Sequence, residues 1–281
     1  MTSNARTALV CALALSSATA CKPKTPSGAS LADSALASLR RGDTTAGLKQ
    51  LDDALAADST SARAYRLRGD VARNRGDYDR ALADYDAAIA HKTDDAGLFA
   101  DRGYVYQTKG DYDRAIQDFD RALAIKPNHG QALKNRGRTH FYMGHFKEAA
   151  VDLGHGAALD STNAYVAIWQ HMAVRRNGGD NTAELATELA KTDASKWPAP
   201  VGQFYLGKAT AAQVMSAAEK TDSHAQTDQR CAATFYIGES ALWNRQTADA
   251  KKRFEETVAS CPKSFTEYDA ARAELARLAT R

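Results

Sequence analysis

The chain has 281 residues, of which 44% are hydrophobic and 25% are charged, with few prolines. This composition is ordinary for a soluble helical protein and is enough for one continuous core. The net charge of +3 gives no general argument for nucleic acid, or for an anionic membrane surface, as a partner.

The N-terminus has the pattern of an export signal. Arg6 precedes an apolar stretch, Ala8 to Leu15, that is too short to span a bilayer. The stretch leads to Cys21 and then to a segment rich in Pro, Gly and Ser, which suits a flexible tether. We therefore predict a signal peptide over residues 1–20, and a lipidated cysteine with its tether over residues 21–30.

Cys21, at the end of Ala18-Thr19-Ala20, resembles the lipobox of bacterial lipoproteins, whose cysteine is diacylated and becomes the new N-terminus. The sequence departs from that pattern at Ala18, where lipoboxes usually carry leucine. Lys22 resembles the signal for outer-membrane sorting in a Gram-negative host. The resemblance implies a protein that is lipid-anchored to the outer membrane and faces the periplasm. The alternative is a soluble periplasmic protein, because Ala-Thr-Ala also suits ordinary signal peptidase.

Residues 31–163 repeat with a period of 34 residues. The positions in register are Gly69, Gly103 and Gly137; Ala81, Ala115 and Ala149; and the turns that begin at Gly42, Gly76, Gly110 and Gly144. This period, with small residues at two fixed places, is typical of tetratricopeptide (TPR) repeats. It predicts an all-α TPR solenoid of helix-turn-helix units. The clearest units are residues 62–95, 96–129 and 130–163, and residues 28–61 form a weaker first unit.

TPR units stack because one helix pair cannot bury its apolar face alone, and the stack has a concave surface. The first helices line that groove, so residues two, five, nine and twelve of each unit should face it. The predicted groove residues are Arg63, Arg66, Asp70, Arg73, Tyr104, Gln107, Gln131, Lys134, Arg138 and Phe141. We interpret them as a basic and aromatic surface for an extended or acidic peptide. The alternative is a solvated surface. The chaperone-type carboxylate clamp is not matched, because Asp70 and Asp101 stand where it uses asparagine.

A second set of charges recurs within the repeats. Arg68, Arg102 and Arg136 precede the glycines, and Asp84, Asp118 and Asp152 follow them 16 residues later. Antiparallel helices place each arginine level with its aspartate. We therefore predict a ladder of structural Arg–Asp pairs, in preference to a basic stripe that binds a ligand.

The 34-residue register decays after residue 163. We predict a degenerate helical region over residues 164–230, with helices from Ala164 to Arg175 and from Thr182 to Lys191. Trp197-Pro198-Ala199-Pro200 should interrupt helical structure, because closely spaced prolines exclude a regular helix. Residues 231–281 should contain a fifth unit, 231–264, and a charged terminal helix that caps the stack.

Two cysteines remain once the signal is removed and Cys21 is lipidated. In an oxidising compartment, Cys231 and Cys261 should form one disulfide. The alternative is two small buried residues, since free cysteine is often buried.

No residue pattern in the sequence indicates catalysis. The closely spaced histidines His140, His145 and His155 are not one helical turn apart on one face, as a helical metal site requires. Phosphate loops, Gly-x-Ser-x-Gly elbows and paired catalytic carboxylates are absent. We therefore predict no enzyme activity, no cofactor and no metal.

The second half resembles the NlpI-type bacterial TPR lipoproteins. The residues that carry this resemblance are Trp197, Phe204-Tyr205-Leu206-Gly207, Phe235-Tyr236-Ile237-Gly238 and Phe265-Thr266-Glu267-Tyr268. The resemblance implies a non-enzymatic envelope adaptor that binds a periplasmic tail-specific protease and peptidoglycan hydrolases, and so regulates cell-wall turnover. It also implies a homodimer, with the first unit as a contact surface. The alternative is a generic TPR assembly factor for a secretion or outer-membrane biogenesis complex.

Overall fold

The computed structural model describes residues 27–219 and 223–280. Within these ranges the chain forms fifteen helices and no strand, so the predicted all-α TPR solenoid is confirmed. The helices are α1 (Gly28–Arg40), α2 (Thr44–Ala57), α3 (Ala62–Asn74), α4 (Tyr78–His91), α5 (Ala96–Thr108), α6 (Tyr112–Ile125), α7 (Gly130–Met143), α8 (Phe146–Leu159), α9 (Ala164–Arg176), α10 (Thr182–Leu189), α11 (Ala199–Tyr205), α12 (Ala211–Ala218), α13 (Ser223–Trp243), α14 (Thr247–Ser260) and α15 (Thr266–Ala279).

The predicted signal peptide and Cys21 lie outside the described residues. Helix α1 begins at Gly28, so the last three residues of the predicted tether are helical. None of the helices in ranges 27–219 and 223–280 is both long enough and apolar enough to cross a membrane.

Helices α1–α8 form four antiparallel pairs that follow the predicted units. The turn inside each pair contains a glycine with φ of +77° to +84°, a backbone conformation that glycine adopts without steric cost. An aspartate follows the first three of these glycines, and its carboxylate accepts a hydrogen bond from the backbone N–H three residues later. The glycines are Gly42, Gly76, Gly110 and Gly144, and the capping aspartates are Asp43, Asp77 and Asp111.

The small residues inside the pairs allow the two helices to approach closely. At Gly103, a Cβ atom would lie 2.9 Å from Cε1 of Phe119, which is closer than real Cβ contacts. Phe119 is fully buried, and it packs beside Ala115 and Ala122 of its own helix. The repeated glycine thus makes room for the large side chain that fills the space between turns.

The C-terminal half departs from the predicted boundaries at two places. Helix α11 begins at Ala199, so Pro200 lies in a helix, contrary to the prediction. Proline is tolerated there because the first turn of a helix needs no backbone N–H donor from it. Helix α13 begins at Ser223, before the predicted start of the fifth unit at residue 231.

Cys231 and Cys261 form a disulfide with their Cα atoms 5.2 Å apart. Cys231 lies within α13 because that helix begins early, and Cys261 caps the C-terminus of α14. The bond therefore ties α13 to the turn that leads into α15.

The terminal helix α15 packs against the first helix of an earlier unit, α7. The guanidinium of Arg277 donates a 2.7 Å hydrogen bond to the backbone oxygen of Tyr142, and the Tyr142 hydroxyl donates to the backbone oxygen of Thr266 at 3.3 Å. The terminal helix thus covers part of the concave surface and does not only extend the stack at its end.

Candidate protein-binding groove

The predicted Arg–Asp ladder is present in all three units. Arg102 donates from Nε and Nη2 to the two carboxylate oxygens of Asp118, at 2.8 and 2.6 Å. The same paired bonds join Arg68 to Asp84 and Arg136 to Asp152. The hydrogen bonds that Arg102 donates to Asp118 raise the pKa of Arg102, while burial raises the pKa of Asp118 against the effect of the same bonds. These arginines therefore hold helix pairs together and are not available to a ligand.

Each ladder arginine also contacts the preceding unit, which the sequence analysis did not foresee. Nη1 of Arg102 donates to Asp86 on α4 at 2.6 Å. The equivalent bonds run from Arg68 to Asp52 and from Arg136 to Asp120. Asp52, Asp86 and Asp120 are themselves spaced by 34 residues, so the signal was present in the sequence. The ladder links neighbouring units as well as the two helices of one unit.

Most cations of the predicted groove are neutralised by aspartates of the chain. Arg63 pairs with Asp33 at 2.6 Å. Arg66 pairs with Asp101 at 2.8 Å, and Arg73 pairs with the same carboxylate at 3.3 Å. The groove along α3 and α5 is therefore a mixed-charge surface, and its predicted basic character is wrong there.

Residue twelve of each unit does not face the groove. Gln107 is buried and donates to the backbone oxygen of Asn135 and to the hydroxyl of Thr139, both on α7. Phe141 is fully buried, with its ring edge-on to Trp169 of α9. The prediction is wrong for Gln107 and Phe141, because position twelve points toward the first helix of the next unit. Arg73 also occupies this position, which explains its bond to Asp101 on α5.

Other predicted groove residues remain accessible. Tyr104 is half-buried, with the Arg73 guanidinium 5.8 Å from its ring centroid. Lys134 and Arg138, one helical turn apart on α7, line a cavity together with Gln131. Lys134 lies 3.6 Å from Asp160, a long ion-pair distance. The predicted groove residues of α7 are therefore the ones that the structure brings together at one cavity.

The cavity beside α7 has a volume of 530 Å³ and is walled by several parts of the fold. Helix α9 contributes aromatic side chains, the turn before α11 contributes Trp197, and α13 and the start of α15 form the remaining walls. We call this space the α7 cavity. Its lining residues are Gln131, Lys134, Arg138, Leu153, Asn163, Tyr165, Val166, Trp169, Trp197, Asp228, Gln229, Ala232, Phe265, Thr266 and Glu267.

The cavity walls that lie outside the clear repeats are not among the predicted groove residues. Tyr165 occupies the second place of a further 34-residue unit, and it remains 40% exposed despite its size. Continuing the register past residue 163 would have identified it. Trp197 and Gln229 come from segments without the period, so only the folded chain could place them at the cavity.

Burial raises the pKa of acidic side chains on α15, the helix that closes the cavity, and of one on α13. Burial raises the pKa of Glu267, although the Tyr236 hydroxyl donates to its carboxylate at 2.7 Å. Burial also raises the pKa of Asp269 to about 6. Farther along α15, Glu274 shares the guanidinium of Arg176 with Glu239, at 2.5 and 3.1 Å. Burial and the neighbouring Glu274 raise the pKa of Glu239 to about 8.

The arrangement offers surfaces of mixed charge with aromatic side chains beside them. In the ranges 27–219 and 223–280, no group of three His, Cys, Asp or Glu residues is placed to hold a metal ion. The charged residues at the α7 cavity come from α7, α13 and α15, beside aromatic side chains that can contact apolar groups.

Two models of the tetratricopeptide repeat match the chain, over residues 33–96 and 69–134. Residues 33–134 therefore contain TPR repeats. These matches cover the periodic half and stop before the α9–α15 region that closes the α7 cavity. No curated protein sequence matches the chain.

Solved TPR structures resemble the chain over most of its length. A TPR protein from Parabacteroides merdae is 18% identical, with a TM-score of 0.58, and the alignment covers 90% of this chain and 99% of that one. PilF of Pseudomonas aeruginosa is 16% identical with a TM-score of 0.53, covering 88% and 97%. PilW, a type IV pilus biogenesis factor, is 17% identical with a TM-score of 0.51, covering 87% and 98%. At these identities the likeness shows the TPR fold alone.

Proposed function

We propose that this protein is a non-enzymatic scaffold of the bacterial cell envelope that binds partner proteins through the α7 cavity. The observation that carries the proposal is the cavity itself, which combines aromatic walls with an accessible arginine and lysine on the concave side of a TPR stack. TPR stacks present such concave surfaces to other proteins. A cavity with apolar walls and a few polar groups is the usual form of a binding site.

The NlpI-type resemblance supplies the candidate partners, a periplasmic tail-specific protease and peptidoglycan hydrolases. In that role the protein brings the protease to the hydrolases and limits their amount in the envelope. A homodimer is part of the same proposal.

A second candidate is an assembly factor for an envelope complex. The observation that favours it is the likeness to PilF and PilW, which extends over 88% and 87% of this chain. PilW is described as a pilus biogenesis factor. Under this proposal the partners are subunits of a pilus, secretion or outer-membrane complex.

Crosslinking in envelope extracts, followed by affinity purification and mass spectrometry, separates the two candidates. Recovery of a tail-specific protease with cell-wall hydrolases supports the adaptor, and recovery of pilus or secretion subunits supports the assembly factor. The test variant is Tyr165→Ala, which removes an exposed side chain from the cavity wall. Partners that are recovered equally with this variant do not bind through the α7 cavity.

The proposed anchor is tested by Cys21→Ser. We expect the variant to move from the membrane fraction to the soluble fraction, because the substituted residue cannot be acylated. Intact-mass measurement of the wild-type protein should show the acyl chains. Unchanged fractionation, or a mature mass without acyl chains, would contradict the anchor and favour the soluble periplasmic form.

A further inference from the structure

A second cavity of 450 Å³ adjoins the α7 cavity. Asn163, Tyr165 and Trp197 line both spaces, so the two cavities lie on opposite sides of a shared wall. The second cavity is otherwise formed by the segments around Lys191 and Pro198. We call the two spaces together the double cleft. One cavity lies beside the first helices of the repeats, and the other lies in the adjoining non-periodic region.

Arg138 differs from the other cations that the sequence placed in the groove. Arg63, Arg66, Arg73 and Lys134 each have an aspartate partner. Arg138 donates to the neutral oxygens of Asn135 and Thr266, at 2.6 and 3.4 Å, and makes no salt bridge within the described part of the chain. A half-buried guanidinium without a carboxylate partner is a favourable place for an anionic group of a ligand.

Two acidic residues, Asp228 and Glu267, line the same cavity, and neither forms a salt bridge with Arg138 within the described part of the chain. Glu267 also lines the α7 cavity, but its carboxylate accepts from Tyr236 and burial raises its pKa. A carboxyl that resists ionisation neutralises a neighbouring cation less than an exposed carboxylate does. The guanidinium of Arg138 therefore remains free of a carboxylate partner in the described part of the chain and is suited to pair with a negative group of a ligand.

One polar atom of the cavity wall also lacks a partner. The buried Oε1 atom of Gln229 accepts no hydrogen bond from the residues that the structure describes. Leaving a buried acceptor unsatisfied is energetically unfavourable, because the atom has lost its hydrogen bond to water without gaining another. Because Gln229 lines the α7 cavity, a backbone N–H of a bound peptide is a suitable donor.

We propose that the double cleft binds an extended internal segment of a partner polypeptide in which an aromatic side chain is followed by an acidic one. This inference rests on the proposed function and specifies the chemistry of the partner. The aromatic side chain packs against Tyr165 and Trp197, which line both cavities, and the acidic side chain pairs with Arg138. The peptide chain then passes the shared wall and continues into the second cavity, which is why an internal segment fits better than a chain terminus.

The probe is a fluorescein-labelled, C-terminally amidated decapeptide of serine and alanine with a central phenylalanine–glutamate pair. One matched peptide has glutamine in place of glutamate. A second ends at the glutamate with a free carboxylate, so that its acidic group belongs to a chain terminus. Binding to the purified full chain is measured by fluorescence anisotropy, at low and at physiological salt.

We expect the glutamate peptide to bind about tenfold more tightly than the glutamine peptide, which is the scale of one partly exposed charge pair. Arg138→Gln should reduce the affinity for the glutamate peptide to that for the glutamine peptide and leave the latter unchanged. Arg138→Lys, which keeps the charge, should retain most of the difference. Tyr165→Ala should weaken both peptides.

The matched control is Arg63→Gln, which removes an equal charge from an exposed pair far along the stack. It should leave both affinities unchanged. Thermal unfolding of each variant shows whether the fold is retained, and Tyr165→Ala provides a second test that does not alter the contact between Arg138 and α15.

Several results would overturn the inference. These are absence of measurable binding at millimolar peptide, equal weakening of both peptides by Arg138→Gln, wild-type binding by Tyr165→Ala, and tighter binding of the peptide with the free terminus.

The proposed function is contradicted by different results. If crosslinked envelope partners are recovered equally with wild type, Arg138→Gln and Tyr165→Ala, the scaffold binds elsewhere; if none is recovered while the peptide binds, the cleft is real and the proposed partners are wrong.

Discussion

The N-terminal half of the chain, α1–α8, and the C-terminal half, α9–α15, are stabilised by different kinds of contact. In the first three units, separate small clusters of buried residues lie between adjacent helix pairs, and the Arg–Asp ladder joins each unit to the one before it. The second half shares one large cluster with the fourth repeat unit; the cluster extends from Phe141 on α7 to Ala271 on α15 and includes the rings of Trp169, Phe235 and Phe254.

Charges are also used differently in the two halves. Each ladder arginine contacts a buried aspartate on one side and an exposed aspartate on the other. In the second half, the buried guanidinium of Arg176 contacts two buried carboxylates, Glu239 and Glu274. Breaking such a cluster is costly, because a charge would remain buried without compensation. The repeats therefore depend on contacts between neighbours in sequence, whereas the closing region depends on contacts between distant segments.

The largest effect should come from the core of the periodic half. Phe119→Ala should lower the free energy of unfolding by roughly 3–5 kcal/mol, because the phenyl ring is fully buried and its removal leaves a cavity. Val151→Ala is the matched control, since Val151 is 54% exposed and its truncation should cost less than about 0.5 kcal/mol. Chemical denaturation measures both. A loss below about 1 kcal/mol for Phe119→Ala would mean that the repeat register is wrong.

A slightly smaller effect should come from the disulfide. Replacing Cys231 and Cys261 by alanine should lower the free energy of unfolding by roughly 3–4 kcal/mol in the chain-entropy model, because the bond closes a loop across 30 residues. Hydrogen exchange should show the loss of protection in α13–α15, while α3–α6 keep theirs.

Reductant provides the control for this pair of substitutions. It should shift the melting temperature of the wild type toward that of the double variant, and it should leave the double variant unchanged. If both thiols of protein purified from the periplasm alkylate without prior reduction, the disulfide is absent and the export prediction loses a support.

The smallest effect should be a difference in pH dependence. The folded-state pKa of Glu239 is about 8, above its ordinary value of 4.5, so the folded protein binds this proton more tightly than the unfolded chain does. Stability therefore falls as the pH rises from about 4.5 through about 8. Asp269, with a pKa of about 6, changes stability in the same direction over the lower part of that range.

Glu239→Gln tests this assignment, because glutamine cannot ionise while Glu274 still pairs with Arg176. Melting temperatures measured between pH 4.5 and 8.5 should decline less steeply for the variant than for the wild type. Glu255→Gln, on the exposed surface of α14, is the control and should follow the wild type. Parallel curves for wild type and Glu239→Gln would show that the buried cluster does not govern the pH dependence.

The sequence predicted the residues whose partners lie within one unit and missed those whose partners lie in an adjacent unit, before or after it. The pairing of Arg68 with Asp84 follows from antiparallel helices alone, whereas the bond from Arg68 to Asp52 depends on how one pair stacks on the previous pair. The same distinction explains Gln107 and Phe141, which the helix periodicity placed on the groove and the next unit covers. Helix periodicity predicts which residues share one face of a helix, but only the stacking of the units determines which neighbouring helix covers that face.

By itself, the sequence determined the all-α repeat architecture, because a 34-residue period of glycines, aspartate caps and aromatic residues acts through contacts that are local in the chain. The tertiary structure decided where the groove is closed and where the binding cavity lies. Those features join residues far apart in sequence, such as Tyr142 with Arg277, separated by 135 residues. No local pattern encodes such contacts, because they form only when the packing of all intervening helices is fixed.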